Sequence, residues 1–163
     1  MTSLSCSESK PLRLRLDRCF RPCEALDGDE IFPNGIFEFN ITRLLAYIDS
    51  SGEFRAEFVA LDDIPNAGTS PRLNELAVLN ADLSRPVILA EIAPGRYNLI
   101  DGHHRVAKAR RGCVPGIPAY RICCPEHVAF LTSTRAYETY VEYWNSKVDE
   151  DLRTHRSRRR AAR

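Results

Sequence analysis

The sequence predicts an α+β domain in which a small mixed sheet is packed against helices. Apolar segments with the periodicity of strands alternate along the chain with segments that have the periodicity of helices. Two strand-like segments, PVILAEIA (86–93) and RYNLI (96–100), are separated only by Pro94-Gly95, which indicates a hairpin. With 163 residues, 44% hydrophobic and 28% charged, the chain has the size and composition of one ordinary globular domain.

The N-terminal segments predict a leader followed by strands. Residues 1–10 are polar and serine-rich, and we expect a flexible leader there. The alternation in RLRLDRCF (13–20) predicts a short strand. IFPNGIFEFNI (31–41) combines aromatic and β-branched residues around a Pro-Asn-Gly turn, which is typical of two strands joined by that turn.

A helix and a further strand follow this turn. Asn40 or Thr42 is suited to cap a helix over RLLAYI (43–48), which the following Ser-Ser-Gly ends. FRAEFVALDDI (54–64) predicts a strand, and residues 65–72 have the composition of a loop.

The central and C-terminal segments continue the alternation. LNELAVLNADL (73–83) has apolar residues at helical spacing and precedes the predicted hairpin. After the hairpin, RVAKARR (105–111) predicts a helix that Gly112 stops, and GIPAYRI (116–122) predicts a strand. PEHVAFLTS (125–133) begins with proline, which favours the first position of a helix.

The last predicted element is an amphipathic helix. Four apolar residues at spacings of four, three and four share one helix face: Tyr137, Val141, Trp144 and Val148. This spacing favours a stripe packed on the core, and the pattern stops after Asp151. We therefore expect the domain to span 11–151 and residues 152–163 to form a disordered basic tail.

Charge and composition exclude several classes of protein. The net charge of +1 gives no overall field that would draw the chain to nucleic acid or to a membrane. No apolar run approaches the roughly 18 residues that span a bilayer, and the N-terminus lacks the apolar region of a secretory signal. The expected location is therefore cytoplasmic, where cysteines are free thiols. The chain has six cysteines: Cys6, Cys19, Cys23, Cys113, Cys123 and Cys124. Their spacing does not match that of a structural zinc site.

The segment NLIDGHHRVAKARRG (98–112) is the candidate functional site. It places a glycine between a predicted strand and a predicted helix, where the free amides of the first helical turn attract anions. Arg105 supplies a planar guanidinium suited to phosphate, and His103 and His104 are candidate acid or base catalysts. Asp101 can hold the tautomer of a histidine or a Mg²⁺ ion carried by a nucleotide.

A purely structural interpretation of the same residues is also available. An Asp-Gly pair commonly forms only a turn, and Arg105 can simply pair with Asp101. The two histidines are adjacent, so their side chains point in different directions and are poorly placed to bind one metal ion. No metal site is therefore predicted, and the residues alone leave functional and structural interpretations open.

The segment YNLIDGHHRVAKARRGCVPGIPAYRI (97–122) resembles the signature region of the ParB/sulfiredoxin-like superfamily. The shared pattern is a strand, a Gly-x-x-Arg turn, a helix of small residues and a strand with Ile-Pro; it covers roughly 56–122, with weaker support to about 148. The resemblance implies a compact ParB/sulfiredoxin-like α+β fold that binds a nucleoside phosphate. It places Gly102, His103, His104 and Arg105 at the phosphates, with Asp101 just before them.

Departures from the pattern argue against the two best-known activities of the superfamily. Sulfiredoxins have a nucleophilic cysteine where this chain has His103, so sulfinic-acid repair is not expected. Partition ParB proteins have Glu-Arg where this chain has His103-His104, and no helix-turn-helix reader follows in this sequence. Centromere-type DNA recognition is not expected either.

Asp-Gly-His-His-Arg is more similar to the free-serine kinase branch, whose members use a separate acidic base. The candidate bases are Glu30, Glu38, Asp62 and Asp63, and the sequence does not choose between them.

Three functional hypotheses follow. The first is a protein that binds ATP or another nucleotide with Mg²⁺ at 101–105 and hydrolyses or transfers a phosphate. The second is a DNA-associated, partition-related factor or a nuclease that uses the basic tail and the basic residues Lys108, Arg110 and Arg111. The third is a binding or regulatory protein without catalytic activity.

Overall fold

The computed structural model describes residues 12–35, 37–65 and 73–161, with 155–161 described by their backbone alone. The predicted leader 1–10 and most of the predicted loop 65–72 lie outside the described residues. The strands are β1 (Ile31–Asn34), β2 (Phe37–Asn40), β3 (Glu57–Ala60), β4 (Val87–Ala93), β5 (Arg96–Asp101) and β6 (Gly116–Ile122). The α-helices are α1 (Ile41–Ser51), α2 (Glu75–Asn80), α3 (His103–Arg111) and α4 (Thr134–Ala161), and 3₁₀ helices span Leu61–Asp63 and Glu126–Phe130.

The main sheet is small and mixed, which confirms the predicted α+β class. Its strand order is β3-β6-β4-β5. β4 pairs in parallel with β6 and antiparallel with β5, and β3 pairs antiparallel with β6. The predicted hairpin at Pro94-Gly95 is the β4–β5 connection, whereas β1 and β2 form a separate two-stranded hairpin.

Both faces of the sheet are covered, so β4 is mainly apolar rather than alternating, with Glu91 as its one charged residue. Val87 and Leu89 face α3, where they pack with Val106 and other apolar side chains. Ile88 and Ala90 face the opposite side, in a core that α1 and α4 supply. The β5–α3 junction is consequently anchored on a strand that is buried on both sides.

Helix α1 begins and ends at residues that the sequence indicates. The Asn40 side chain accepts a hydrogen bond from the Arg43 amide, so Asn40 is the N-cap. Thr42 instead accepts a bond from the Glu30 amide. Gly52 ends the helix in the left-handed conformation, with φ of 65°.

Helix α4 buries the predicted stripe but is longer than predicted. Tyr137, Val141, Trp144 and Val148 are all buried in the core. The helix then continues to Ala161, through most of the segment expected to be a disordered tail. Residues 152–161 contain no glycine or proline and are rich in arginine, which has high helix propensity and suits the negative end of the helix dipole.

Two other predicted elements differ in the structure. Residues 13–20 form neither a helix nor a strand, because this segment lies along the side chains of α4 instead of a sheet edge. The helix expected over 125–133 is only the 3₁₀ helix Glu126–Phe130. Leu131 forms a bridge with Phe39 of β2, and this tertiary pairing ends the helical path.

The cysteines in the described part of the chain are free thiols, as expected: Cys19, Cys23, Cys113, Cys123 and Cys124. Among the described helices, none combines the length and the apolar character needed to cross a membrane.

Candidate functional site

The candidate site is the turn between β5 and α3, residues 101–105, hereafter the 101–105 turn. Gly102 connects the two elements in the left-handed region, with φ of 96°. A Cβ atom on Gly102 would lie 2.4 Å from Cγ1 of Val87 and 2.9 Å from Nε of Arg105. Two independent features therefore require glycine at position 102: the left-handed backbone conformation and the close approach of β4.

Asp101 and Arg105 face each other across this turn. Arg105 Nη2 donates to Asp101 Oδ2 at 2.5 Å, and each side chain is only 15% exposed. Nε of Arg105 is buried and has no hydrogen-bond partner within the described residues. The guanidinium is thus held by Asp101 on one side and retains an unused donor beside Gly102.

The first amides of α3 are also unused. Gly102 provides no capping side chain, and the first backbone bond of the helix runs from the Val106 amide to the Gly102 carbonyl at 3.0 Å. The amides of His103, His104 and Arg105 precede that bond, and none donates to another described residue. Three aligned N–H groups at a helix N-terminus attract an anion.

The two histidines extend to different elements, as their adjacency predicts. His103 stacks on Phe32 of β1, with ring centroids 4.8 Å apart and 28° between the planes. His104 Nε2 accepts a hydrogen bond from the Asn74 amide, at the start of α2, at 3.3 Å. His104 therefore carries its proton on Nδ1 when neutral.

The environment of His103 favours the neutral imidazole. Burial lowers the pKa of His103 below its usual range, and the neighbouring His104 lowers it further. The carboxylate of Asp101 opposes this shift without reversing it. Near pH 7 the ring is consequently uncharged and able to accept or donate a proton.

The basic residues later in α3 are engaged within the protein. Lys108 Nζ donates to two carbonyl oxygens at the end of α2, at 2.7 Å each. Arg111 forms a two-bond pair with Glu75, at 2.6 and 2.9 Å, and Arg110 donates to the Leu61 carbonyl at 3.3 Å. These side chains thus join α3 to its neighbours, although Arg110 and Arg111 are themselves exposed.

The four candidate bases make no polar contact with the turn among the described residues. All four are exposed, and no hydrogen bond or ion pair joins any of them to 101–105 within the described residues. Glu38 accepts from the Thr132 hydroxyl at 2.5 Å. Asp62 and Asp63 belong to the 3₁₀ helix that packs near the C-terminal end of α3, and Glu30 precedes β1.

A cleft of about 500 Å³ lies near the β4–β5 connection, and its lining includes Asp62, Asp63, Tyr97 and Arg121. None of residues 101–105 lines it. Because β5 runs from the connection to the turn, the two ends of the strand are about 17 Å apart. No cluster of three or more His, Cys, Asp or Glu side chains with the arrangement of a metal site occurs among the described residues.

Three contacts of the site were not signalled by the sequence. Phe32 covers His103, Asn74 bonds to His104, and Val87 packs against Gly102. Phe32 and Asn74 are each some 30 residues or more from their partners along the chain, so no local pattern indicates them.

No protein-family model matches the chain, and neither a curated protein nor a solved structure matches it. The resemblance of the 97–122 segment to the ParB/sulfiredoxin-like superfamily stays a hypothesis from sequence.

Proposed function

We propose that this chain is a ParB/sulfiredoxin-like domain that binds the phosphates of ATP or another nucleotide at the 101–105 turn. The observation that carries the proposal is the left-handed Gly102 at the start of α3. Among the described residues, the first three amides of this helix and the nearby Nε of Arg105 have no hydrogen-bond partner. A phosphate at this position would accept hydrogen bonds from backbone N–H groups and from the guanidinium together.

Mg²⁺ fits the proposal through Asp101. Mg²⁺ sites in nucleotide-binding proteins use one or two carboxylates together with phosphate oxygens. Asp101 Oδ2 is occupied by Arg105, whereas Oδ1 makes no hydrogen bond to a described residue. Asp101 would hold the ion next to the phosphates, and the ion would supply neutralisation of their charge.

Hydrolysis or transfer of a phosphate is the reaction that these residues support best. Arg105 would stabilise the charge that develops on the transferred group. His103, neutral near pH 7, would accept or donate the proton. His104 Nε2 is already used by Asn74, which leaves His103 as the better candidate of the two.

A calorimetric titration of ATP into the protein, with and without Mg²⁺, tests the binding site. Saturable binding is expected, and Arg105→Ala should abolish it. Arg111→Ala is the matched control, because Arg111 lies on the same helix but pairs with Glu75 at the exterior. Unchanged affinity in a folded Arg105→Ala protein would overturn the proposed site, and no binding of any nucleotide by the natural chain would overturn the function.

A DNA-associated role is the second candidate, and the length of α4 favours it. The helix continues through a segment with five arginines between Arg153 and Arg160. A basic helix binds phosphate backbones without sequence preference and with strong salt dependence. A gel shift at low salt should therefore be lost when the chain is truncated after Leu152; equal binding by both forms would exclude the helix as the DNA contact.

A further inference from the structure

An extended segment, residues 12–20, lies along α4 and forms neither a helix nor a strand. It is hereafter called the strap. Its side chains are mostly exposed: Leu12 is 80% and Leu16 49% accessible to solvent. Leu14 and Phe20 alone pack partly against the core. The strap is therefore held less by burial than by polar contacts to its backbone.

The Asn145 side chain forms hydrogen bonds with the strap backbone as a neighbouring strand would. Its Oδ1 accepts from the Leu14 amide at 2.8 Å, and its Nδ2 donates to the Leu14 carbonyl at 3.0 Å. One carboxamide thus satisfies both backbone groups of one residue, as a paired residue does in an antiparallel ladder. This recognition requires an extended backbone and does not depend on the leucine side chain.

Two further side chains of α4 form hydrogen bonds with the strap backbone, one before and one after Leu14. Trp144 Nε1 donates to the Leu12 carbonyl at 3.0 Å, and the Tyr137 hydroxyl accepts from the Asp17 amide at 2.8 Å. Tyr137 also stacks on Phe20, with ring centroids 3.9 Å apart and 13° between the planes. The contacts extend over more than two turns of α4 and form a continuous track.

The strap and α4 are complementary in charge. Arg13 Nη1 lies 2.8 Å from both carboxylate oxygens of Asp149. Residues 12–21 contain four arginines and one aspartate, whereas residues 134–151 of α4 contain five carboxylates and two cations. Opposite charge on the two partners favours a basic peptide over other extended segments.

We propose that the face of α4 formed by Tyr137, Trp144, Asn145 and Asp149 is a binding surface for an extended, arginine-bearing peptide, and that the strap occupies it as a removable internal ligand. The fitting peptide carries an arginine followed by an aliphatic residue, with an aromatic ring seven residues after the arginine. Such a peptide from another protein would replace the strap without altering the sheet, and its aliphatic and aromatic residues would take the places of Leu14 and Phe20 against the core.

The chain next to the strap permits its release. The next backbone contact to the domain is at Cys23, whose amide donates to the Leu131 carbonyl at 2.8 Å. Arg21 and Pro22 lie between that contact and the strap, and both are exposed. The strap can therefore leave α4 while Cys23 and everything after it stay in place.

A peptide-binding experiment on the full chain tests the surface. Arg13→Glu, Leu14→Pro and Phe20→Ala together remove the ion pair, the Leu14 donor and the stacked ring, and near-ultraviolet circular dichroism verifies that this strap variant is folded. A dye-labelled peptide of residues 12–21 with Cys19→Ser is titrated while anisotropy is recorded. We expect saturable binding to the strap variant. The affinity of the peptide for the natural chain should be lower by about tenfold or more, because the tethered strap competes at a millimolar effective concentration.

Two controls decide the outcome. A peptide with the same three substitutions should not bind, and Asn145→Leu added to the strap variant should abolish binding of the natural peptide. No binding to the folded strap variant, or equal binding of both peptides, overturns the proposal.

Hydrogen exchange of the natural chain provides a second test that needs no strap variant. The Leu14 and Asp17 amides should be protected, and they should exchange by a local opening that is insensitive to denaturant, unlike amides of β4. Asn145→Leu should remove the protection at Leu14. Exchange of these amides only through global unfolding would show that the strap is a fixed part of the domain and would overturn the proposal.

Discussion

Asp101 and Arg105 form an ion pair across the junction of β5 and α3, with 2.5 Å between Oδ2 and Nη2. The pair has two structural consequences. It fixes the guanidinium beside the first amides of α3, and it leaves Nε directed at the close contact with Gly102. The structural interpretation considered from sequence is thus correct as far as the pairing goes, and Nε of Arg105, buried beside Gly102, has no hydrogen-bond partner among the described residues.

Asp101→Asn should destabilise the protein by about 3 kcal/mol, because it leaves a largely buried guanidinium without its counter-charge. Urea unfolding measures the loss. Glu75→Gln is the matched control, since Glu75 and Arg111 are exposed and their pair should contribute little. Equal effects of the two substitutions would show that burial does not increase the contribution of the Asp101–Arg105 pair to the free energy of unfolding.

Gly102→Ala should be much more damaging than the same change at Gly52. Both glycines have positive φ, but a Cβ at Gly52 meets nothing within 4 Å, whereas at Gly102 it would meet Val87 at 2.4 Å. We expect about 1 kcal/mol for the conformation alone at Gly52 and about 3 kcal/mol or more at Gly102, where steric overlap is added. Thermal unfolding of the two variants provides the comparison, and similar melting temperatures would contradict it.

His127 should make stability depend on pH between about 4 and 6.5. The ring is fully buried between Phe39 and Tyr140, and its Nε2 has no partner among the described residues. Burial lowers the pKa of His127 from 6.5 to about 4. Between these pH values the unfolded chain binds a proton at His127 and the folded chain does not. The free energy of unfolding is therefore highest above pH 6.5 and decreases by about 3 kcal/mol in total as the pH falls to 4.

His127→Leu should remove most of this slope. Denaturant unfolding of both proteins at a series of pH values gives the difference. The lowered pKa values of Asp29, Glu75 and Asp82 decrease stability mainly below about pH 5. The upper part of the window therefore reports on the two histidines whose pKa is lowered by burial, His127 and His103. Parallel stability curves for the natural and variant proteins would rule His127 out as the source.

Elements with local signals were predicted from sequence, and elements decided by tertiary contacts were not. The Asn40 cap, the Pro94-Gly95 hairpin and the stripe from Tyr137 to Val148 depend on neighbours along the chain, and all are present. The alternating segment 13–20 has the pattern of a strand, but α4 satisfies its backbone through side chains, which periodicity does not register.

The candidate site follows the same division. The strand-turn-helix arrangement of 101–105 was predicted, because glycine and the flanking periodicities are local signals. The cover that Phe32 places on His103 was not, because β1 reaches the turn only through the packing of its hairpin against β5. The hydrogen bonds of Lys108, Arg110 and Arg111 to neighbouring elements were also not foreseeable, since their partners are distant along the chain.

Phe32→Ala should raise the pKa of His103 toward its usual range. Burial is the largest cause of the lowered pKa, and the stacked Phe32 ring contributes to that burial. Asp101→Asn should shift the pKa of His103 in the opposite direction, because the carboxylate favours the charged imidazolium. Nuclear magnetic resonance titration of the His103 ring proton measures both shifts, with Phe32→Leu as a control that keeps an apolar cover. A pKa that does not respond to Phe32→Ala would mean that other groups bury His103, and the neutral ring assigned to the proposed phosphate chemistry would then not depend on β1.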